Sequence, residues 1–230
     1  MFYKLHEELE EKGNFGERDR IPKGYDVFAE NAQGNLSKYK FLDREIIFSD
    51  LILSDDSSEV DFIKDYGAIG GYGLIVSARI KELLSRFNLG KHRFYPLGYI
   101  DKNNIRHEGR YYWLQILVDE VYDWIDYKKS VFYWVDFIEL LNSKNPEKHY
   151  IMFNNARELE EYLNDFDVAM KKFRYEKIVM TDEYCKNPVD LFHLQKIDFD
   201  HIITKKLKEA LEKIKATGIE PMTRKNIFCQ

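Results

Sequence analysis

The sequence predicts an α+β fold of antiparallel or mixed sheets carrying a few amphipathic helices. Two observations predict it. Short runs rich in β-branched and aromatic residues outnumber the helical stripes, which are brief and well punctuated. In addition, the phrase "LIVSARIKELLSRFNLGKHRFYP", beginning at Leu74, returns in outline at His201 as "HIITKKLKEALEKIKATGIEP". The 230 residues are 44% hydrophobic and 15% aromatic, enough to build a core and too apolar for a disordered chain.

Residues 1 to 24 read as a charged lead-in closed by Pro22 and Gly24. "YDVFAE" and "REIIFSDLIL" then read as short strands. "DYGAIGGYG" is a glycine-rich turn; its glycines stop short of the helix that starts after Ser77, so it does not suit a phosphate cradle. "LIV" is a buried strand or helix entry, and Ser77 caps a helix with Ile80, Leu83, Leu84 and Phe87 on one face. Asn88 and Gly90 end that helix. "RFYPLGYI" and "RYYWLQILV" form an antiparallel hairpin around "DKNN", "SVFYWV" is a further strand, and "FIELLN" is a short helical turn. Asn155 caps the next helix with Glu158 in the capping-box position, and Leu159, Tyr162, Leu163, Phe166, Met170 and Phe173 make its buried face. "EKIVMTD" and "DLFHLQKI" are short strands with Asn187 and Pro188 between them.

In the second copy of the repeated phrase, Thr204 takes the cap position of Ser77. Leu207, Ala210, Leu211 and Ile214 each fall 127 residues after their counterparts, and Gly218 and Pro221 supply the stop. Two readings of the repeat stand side by side. Common helix grammar produces such a unit twice, or the chain holds two pseudo-equivalent strand–helix halves; either way the repeat is scaffold. The organisation expected is an acidic, strand-rich segment over 1–66, a first strand–helix–hairpin unit over 67–150 and a second unit over 151–230, separate or as one compact domain.

Chemistry is sparse. The six histidines show no metal-ligand spacing, and His193, between Phe192 and Leu194, reads as a sheet-surface residue. There is no nucleophile elbow. "EVDFIKD" and "DEVYDWIDYKK" lack the acid–lysine arrangement of a metal-dependent nuclease. Cys185, in an expected loop, and Cys229 suggest neither a disulfide framework nor a zinc site, and they fit a reducing cytoplasm. No catalytic, cofactor-binding or metal-binding residue is expected. No apolar run is long enough for a membrane helix, and the charged start lacks a secretory signal.

The net charge of −5 makes nucleic acid a poor partner, and the acids are clustered. Asp43 to Asp65 holds eight acids against Arg44 and Lys64; Asp119, Glu120, Asp123 and Asp126 form a second group. Such patches suit a basic protein partner, and Trp and Tyr are favoured at interface hot spots as well as in cores. The candidate partner-binding residues are therefore Asp55, Asp56, Glu59, Asp61, Asp119, Glu120, Asp123 and Trp124. The aromatics Tyr111, Tyr112, Trp113, Tyr122, Trp124, Tyr127, Phe132, Tyr133 and Trp134 divide by strand alternation between core and outer face.

Three phrases carry a resemblance: "GLIVSARIKELLSRFNLGKHRFYPLGY", "YYWLQILVDEVYDWIDYKKSVFYW" and "LFHLQKIDFDHIITKKLKEALEKIKATGIEP". From about Tyr72 to Pro221 the chain resembles immunity protein family 11 of bacterial polymorphic toxin systems. The resemblance implies a cytoplasmic protein that binds a cognate toxin domain and blocks it by docking, without catalysis. It supplies no contact residues. A non-catalytic regulatory or structural subunit is the alternative, and a small hydrolase-like enzyme the more distant one.

Overall fold

The structure is a computed structural model, and it describes residues 1–7, 26, 29–33, 36, 40–52, 59–63, 73–117, 121–166, 170–194, 197 and 200–229. Chain order begins with β1 (Phe2–Glu7), β2 (Leu51–Ile52), β3 (Phe62–Ile63) and β4 (Gly73–Ser77), which runs directly into α1 (Ala78–Leu84). The long pair β5 (His92–Ile100) and β6 (Arg106–Ile116) follows, then a 3-10 turn, Val121–Trp124. Next come β7 (Val131–Asp136), α2 (Phe137–Asn142), β8 (His149–Ile151), α3 (Ala156–Asn164) and β9 (Lys171–Val179). The order ends with α4 (Asp182–Lys186), β10 (Leu191–His193), β11 (His201–Thr204), α5 (Lys205–Lys213), β12 (Ile219–Arg224) and β13 (Ile227–Phe228). These make three sheets, ordered β2-β5-β6-β4-β3, β10-β11-β1-β12 and β13-β9-β7-β8, so the α+β expectation holds.

The repeat is physical. Ser77 Oγ accepts from the Ile80 amide at the start of α1, and Thr204 Oγ1 accepts from the Leu207 amide at the start of α5. Each hydroxyl then donates to a carboxylate: Ser77 to Asp61 at 2.8 Å, Thr204 to Asp190 at 2.6 Å. Asp61 precedes β3, which pairs antiparallel with β4; Asp190 precedes β10, which pairs antiparallel with β11. Each carboxylate also reaches across to the other unit. Asp61 accepts from the Thr217 amide at 3.0 Å, just beyond α5, and Asp190 accepts from the Asn88 amide at 3.1 Å, just beyond α1. Arg79 and Lys206, each two residues after its cap, pair with Asp61 and Asp190. The two units thus clasp each other reciprocally, although β4 and β11 belong to different sheets.

Between them lies a shared core. Ile80 and Leu84 of α1 meet Leu207 and Leu211 of α5 in one cluster with Tyr3, Leu5, Val76, Leu114 and Ile203. A second core gathers Phe132, Phe173, Tyr184, Phe192 and Ile227, and a third surrounds Trp113, Tyr99 and Phe48. Gly218 has φ +84°, and a Cβ there would run into the Phe62 carbonyl, so only glycine fits where α5 closes on β3.

Several expectations are corrected. Residues 2–7 are no lead-in: β1 is central in its sheet, between β11 and β12, with Phe2, Tyr3 and Leu5 buried. The helix capped by Asn155 stops at Asn164; Phe173 belongs to β9, and Met170 is exposed. Here the alternation of Phe173 and Tyr175 with Lys172, Arg174 and Glu176 overrides the helical period. Glu158 accepts from the Asn154 amide rather than from that of Asn155. α4 was missed, and Cys185 lies on it rather than in a loop. Cys185 is bonded to Cys229, against the expectation of free thiols; β13 carries Cys229 alongside β9, which brings it to α4. His193 is buried rather than on a sheet surface, and its ring stacks on His201 with centroids 4.6 Å apart. "REIIFSDLIL" yields the short β2 and isolated bridges at Ile47 and Asp50. Half of "YDVFAE" and all of the glycine-rich turn before Gly73 lie outside the described residues.

Candidate partner-binding site

Of the eight candidate residues, Asp55, Asp56, Asp119 and Glu120 lie outside the described residues. Glu59 is exposed, but its carboxylate receives Arg110 at 2.8 Å and the Tyr99 hydroxyl at 3.0 Å. Asp61 is buried in the clasp described above. Asp123 is exposed on the 3-10 turn. Trp124 beside it is half-buried, stacked on Tyr184 at 5.1 Å and edge-on to Phe192. Strand alternation hides Tyr111, Trp113 and Phe132 and turns Tyr133 to the opposite face of its sheet.

Glu59 and Asp61 meet in one open cleft of about 400 Å³, lined also by Ser77, Arg79, Arg110, Tyr111 and Thr217. Asp123 and Trp124 do not line it. The cleft exists because the Asp61 clasp draws β3, the start of α1 and the segment after α5 together, while Arg110 on β6 bends over Glu59. Its electrostatics are settled internally. Burial alone would raise the Asp61 carboxyl, but bonds from Arg79, the Thr217 amide and Ser77 outweigh it and hold the group below the usual carboxylate range. Arg79 spends its guanidinium on Asp61 and on the Ile214 carbonyl. Burial pushes the Tyr99 and Tyr111 phenols up, so both stay neutral donors; Tyr111 gives its proton to the Val60 carbonyl.

A general base must be poised near neutrality and within reach of a proton, and a low-pKa carboxylate wrapped in donors is neither. Asp61 is therefore not arranged as a general base. Among the described residues no three His, Cys, Asp or Glu side chains gather to hold a metal ion, and no described helix is long and apolar enough to cross a membrane.

Sequence reasoning missed Arg79, Arg110 and Thr217. Arg79 carried a signal, because Lys206 repeats its position relative to the cap; Arg110 and Thr217 carried none, since their partners are 51 and 156 residues away.

A comparison with curated proteins returned no match. The model of the immunity protein family (Imm11) matches residues 12–226. The match therefore begins well before the Tyr72 at which the resemblance became visible in the sequence, and it takes in both clasped units and the cleft between them. The chain belongs to the Imm11 family of immunity proteins.

Proposed function

We propose that the protein is the immunity partner of a bacterial polymorphic toxin. It binds the toxin domain in the cytoplasm and neutralises it by docking, with no reaction of its own. Membership of an immunity family over nearly the whole chain carries this reading. The cleft supports it, because its buried carboxylate, Asp61, is spent on the fold. In this reading the exposed Glu59 and Asp123, with Asp55, Asp56, Asp119 and Glu120, steer a basic toxin during approach. Asp61 and Trp124 act from behind that surface by holding it in shape.

The test is co-expression with the toxin domain encoded by the neighbouring reading frame. Cells carrying both should survive induction, and the two proteins should co-purify. Rescue without a stable complex would favour an enzyme that modifies the toxin or its product. Co-purification without rescue would favour a regulatory subunit.

A further inference from the structure

We infer that the outward face of the β7–β8–β9 sheet is a contact surface for the toxin domain, which, though basic elsewhere, meets it with an acidic, partly apolar segment. This rests on the docking function proposed above. Phe132, Phe173 and Tyr175 turn one face of this sheet into the core. Alternation sends Tyr133, Tyr150, Lys172 and Arg174 to the other face, where Tyr133 lies opposite both Tyr150 and Arg174. That face is open. Tyr150 is 59% exposed and Met152, two residues on, is 91% exposed. Arg174 and Lys148 are exposed as well.

The chemistry of the face contrasts with that of the chain. The protein carries a net charge of −5, yet this face presents Lys148, Lys172 and Arg174 against one acid, Glu176. Glu176 is already taken by Lys148 at 2.6 Å and by the Tyr150 hydroxyl at 2.8 Å. Those bonds and the Lys148 ammonium, 4.8 Å over the Tyr133 ring, hold the two tyrosines in place before any partner arrives. Lys172 and Arg174 make no ion pair among the described residues. Phe137, the first residue of α2, lies under Lys172, so α2 begins at the margin of the face and adds the exposed Ile138 and Leu141.

Ordered tyrosines ringed by uncompensated cations and exposed aliphatics fit an acidic protein segment with apolar side chains. Nucleic acid is the poorer fit. Met152, Ile138 and Leu141 offer nothing to phosphate, and the net charge of the chain opposes it.

The experiment measures association and dissociation of the neighbouring-frame toxin domain with the wild type and three variants. Arg174→Glu with Lys172→Glu reverses the face, Tyr150→Ala removes its anchor, and Glu59→Lys with Asp123→Lys alters acids elsewhere. The replaced face residues are exposed or half-buried, so thermal melting of each variant should stay close to that of the wild type, which certifies folding. The expected result is at least a hundredfold weaker binding for both face variants, chiefly through faster dissociation. The acid variant should change association alone. Wild-type binding with face variants within threefold of it overturns the inference and leaves the docking function standing. No wild-type binding removes the docking function itself. Binding of a 20-nucleotide single-stranded RNA at 0.15 M salt, lost in the face variants, would reassign the face to nucleic acid and overturn the choice of partner.

Discussion

Asp61 and Glu59 show how two acids that look alike in the sequence differ in consequence. Asp61 accepts from Ser77, Arg79 and the Thr217 amide while buried, so its removal leaves donors unanswered on two elements. Arg79 is 54% exposed and rehydrates, which discounts its share. Asp61→Ala should therefore destabilise by about 2–3 kcal/mol in urea denaturation, and Glu59→Gln by less than about 0.5 kcal/mol. The pH dependence has a definite sign. The folded Asp61 carboxyl lies below its ordinary 3.8, so the unfolded chain binds more protons across that interval. Its contribution is full above the unfolded value and is lost as pH falls through the folded one. The gap between wild type and Asp61→Asn should be constant from pH 7 to 5 and close below about pH 4. Glu176, Glu158 and Asp101 are also held low, but they are common to both proteins and cancel in the comparison. A gap that persists to pH 2.5 would show that packing rather than charge makes Asp61 matter.

The repeated strand–helix unit predicts unequal costs at its two caps. Ser77 is only half-buried, whereas Thr204 is buried and its hydroxyl serves both the Leu207 amide and Asp190. Ser77→Ala should cost about 1 kcal/mol and Thr204→Val about 2 kcal/mol, since Asp61 keeps its bonds from Arg79 and the Thr217 amide, whereas the more deeply buried Asp190 keeps the Asn88 amide and a Lys206 ammonium 3.7 Å away. Equal costs would mean that the clasp at Asp190 adds nothing to the cap. What was legible at this scale follows from locality. α1, α5 and the start of α3 were readable because cap, stripe and stop all lie within a dozen residues of one another. β1 was not, because its partners, β11 and β12, lie some 200 residues downstream and nothing within "FYKLHE" reports them. The acids of the cleft were readable as a charge cluster. That Arg79 and Arg110 pair with them was not, for the same reason of distance.

At the scale of the whole molecule, the chain's two ends close the structure. β1 is sandwiched between β11 and β12, and the last residues bring Cys229 to Cys185 across a sequence separation of 44. In the chain-entropy view such a loop is worth about 4 kcal/mol. The proposed cytoplasm keeps thiols reduced, so the protein must work without that contribution. Cys229→Ser and the reduced wild type should both unfold earlier than the oxidised wild type, yet remain folded, because buried Ile227 still fastens β13 to β9. The shared core makes a further demand. α1 and α5 lie 127 residues apart but bury Ile80, Leu84, Leu207 and Leu211 in one cluster, and Asp61 and Asp190, each bonded to one helix's cap, are held by the exit of the other helix. Neither 67–150 nor 151–230 can then lose its helix without opening the other's core. Ile80→Ala and Leu207→Ala should each lower one common transition, by about 2–5 kcal/mol, with tryptophan fluorescence and far-UV circular dichroism coincident. A biphasic transition in which Leu207→Ala moves only one phase would mean that the two units fold apart, and that the clasp forms between domains already made.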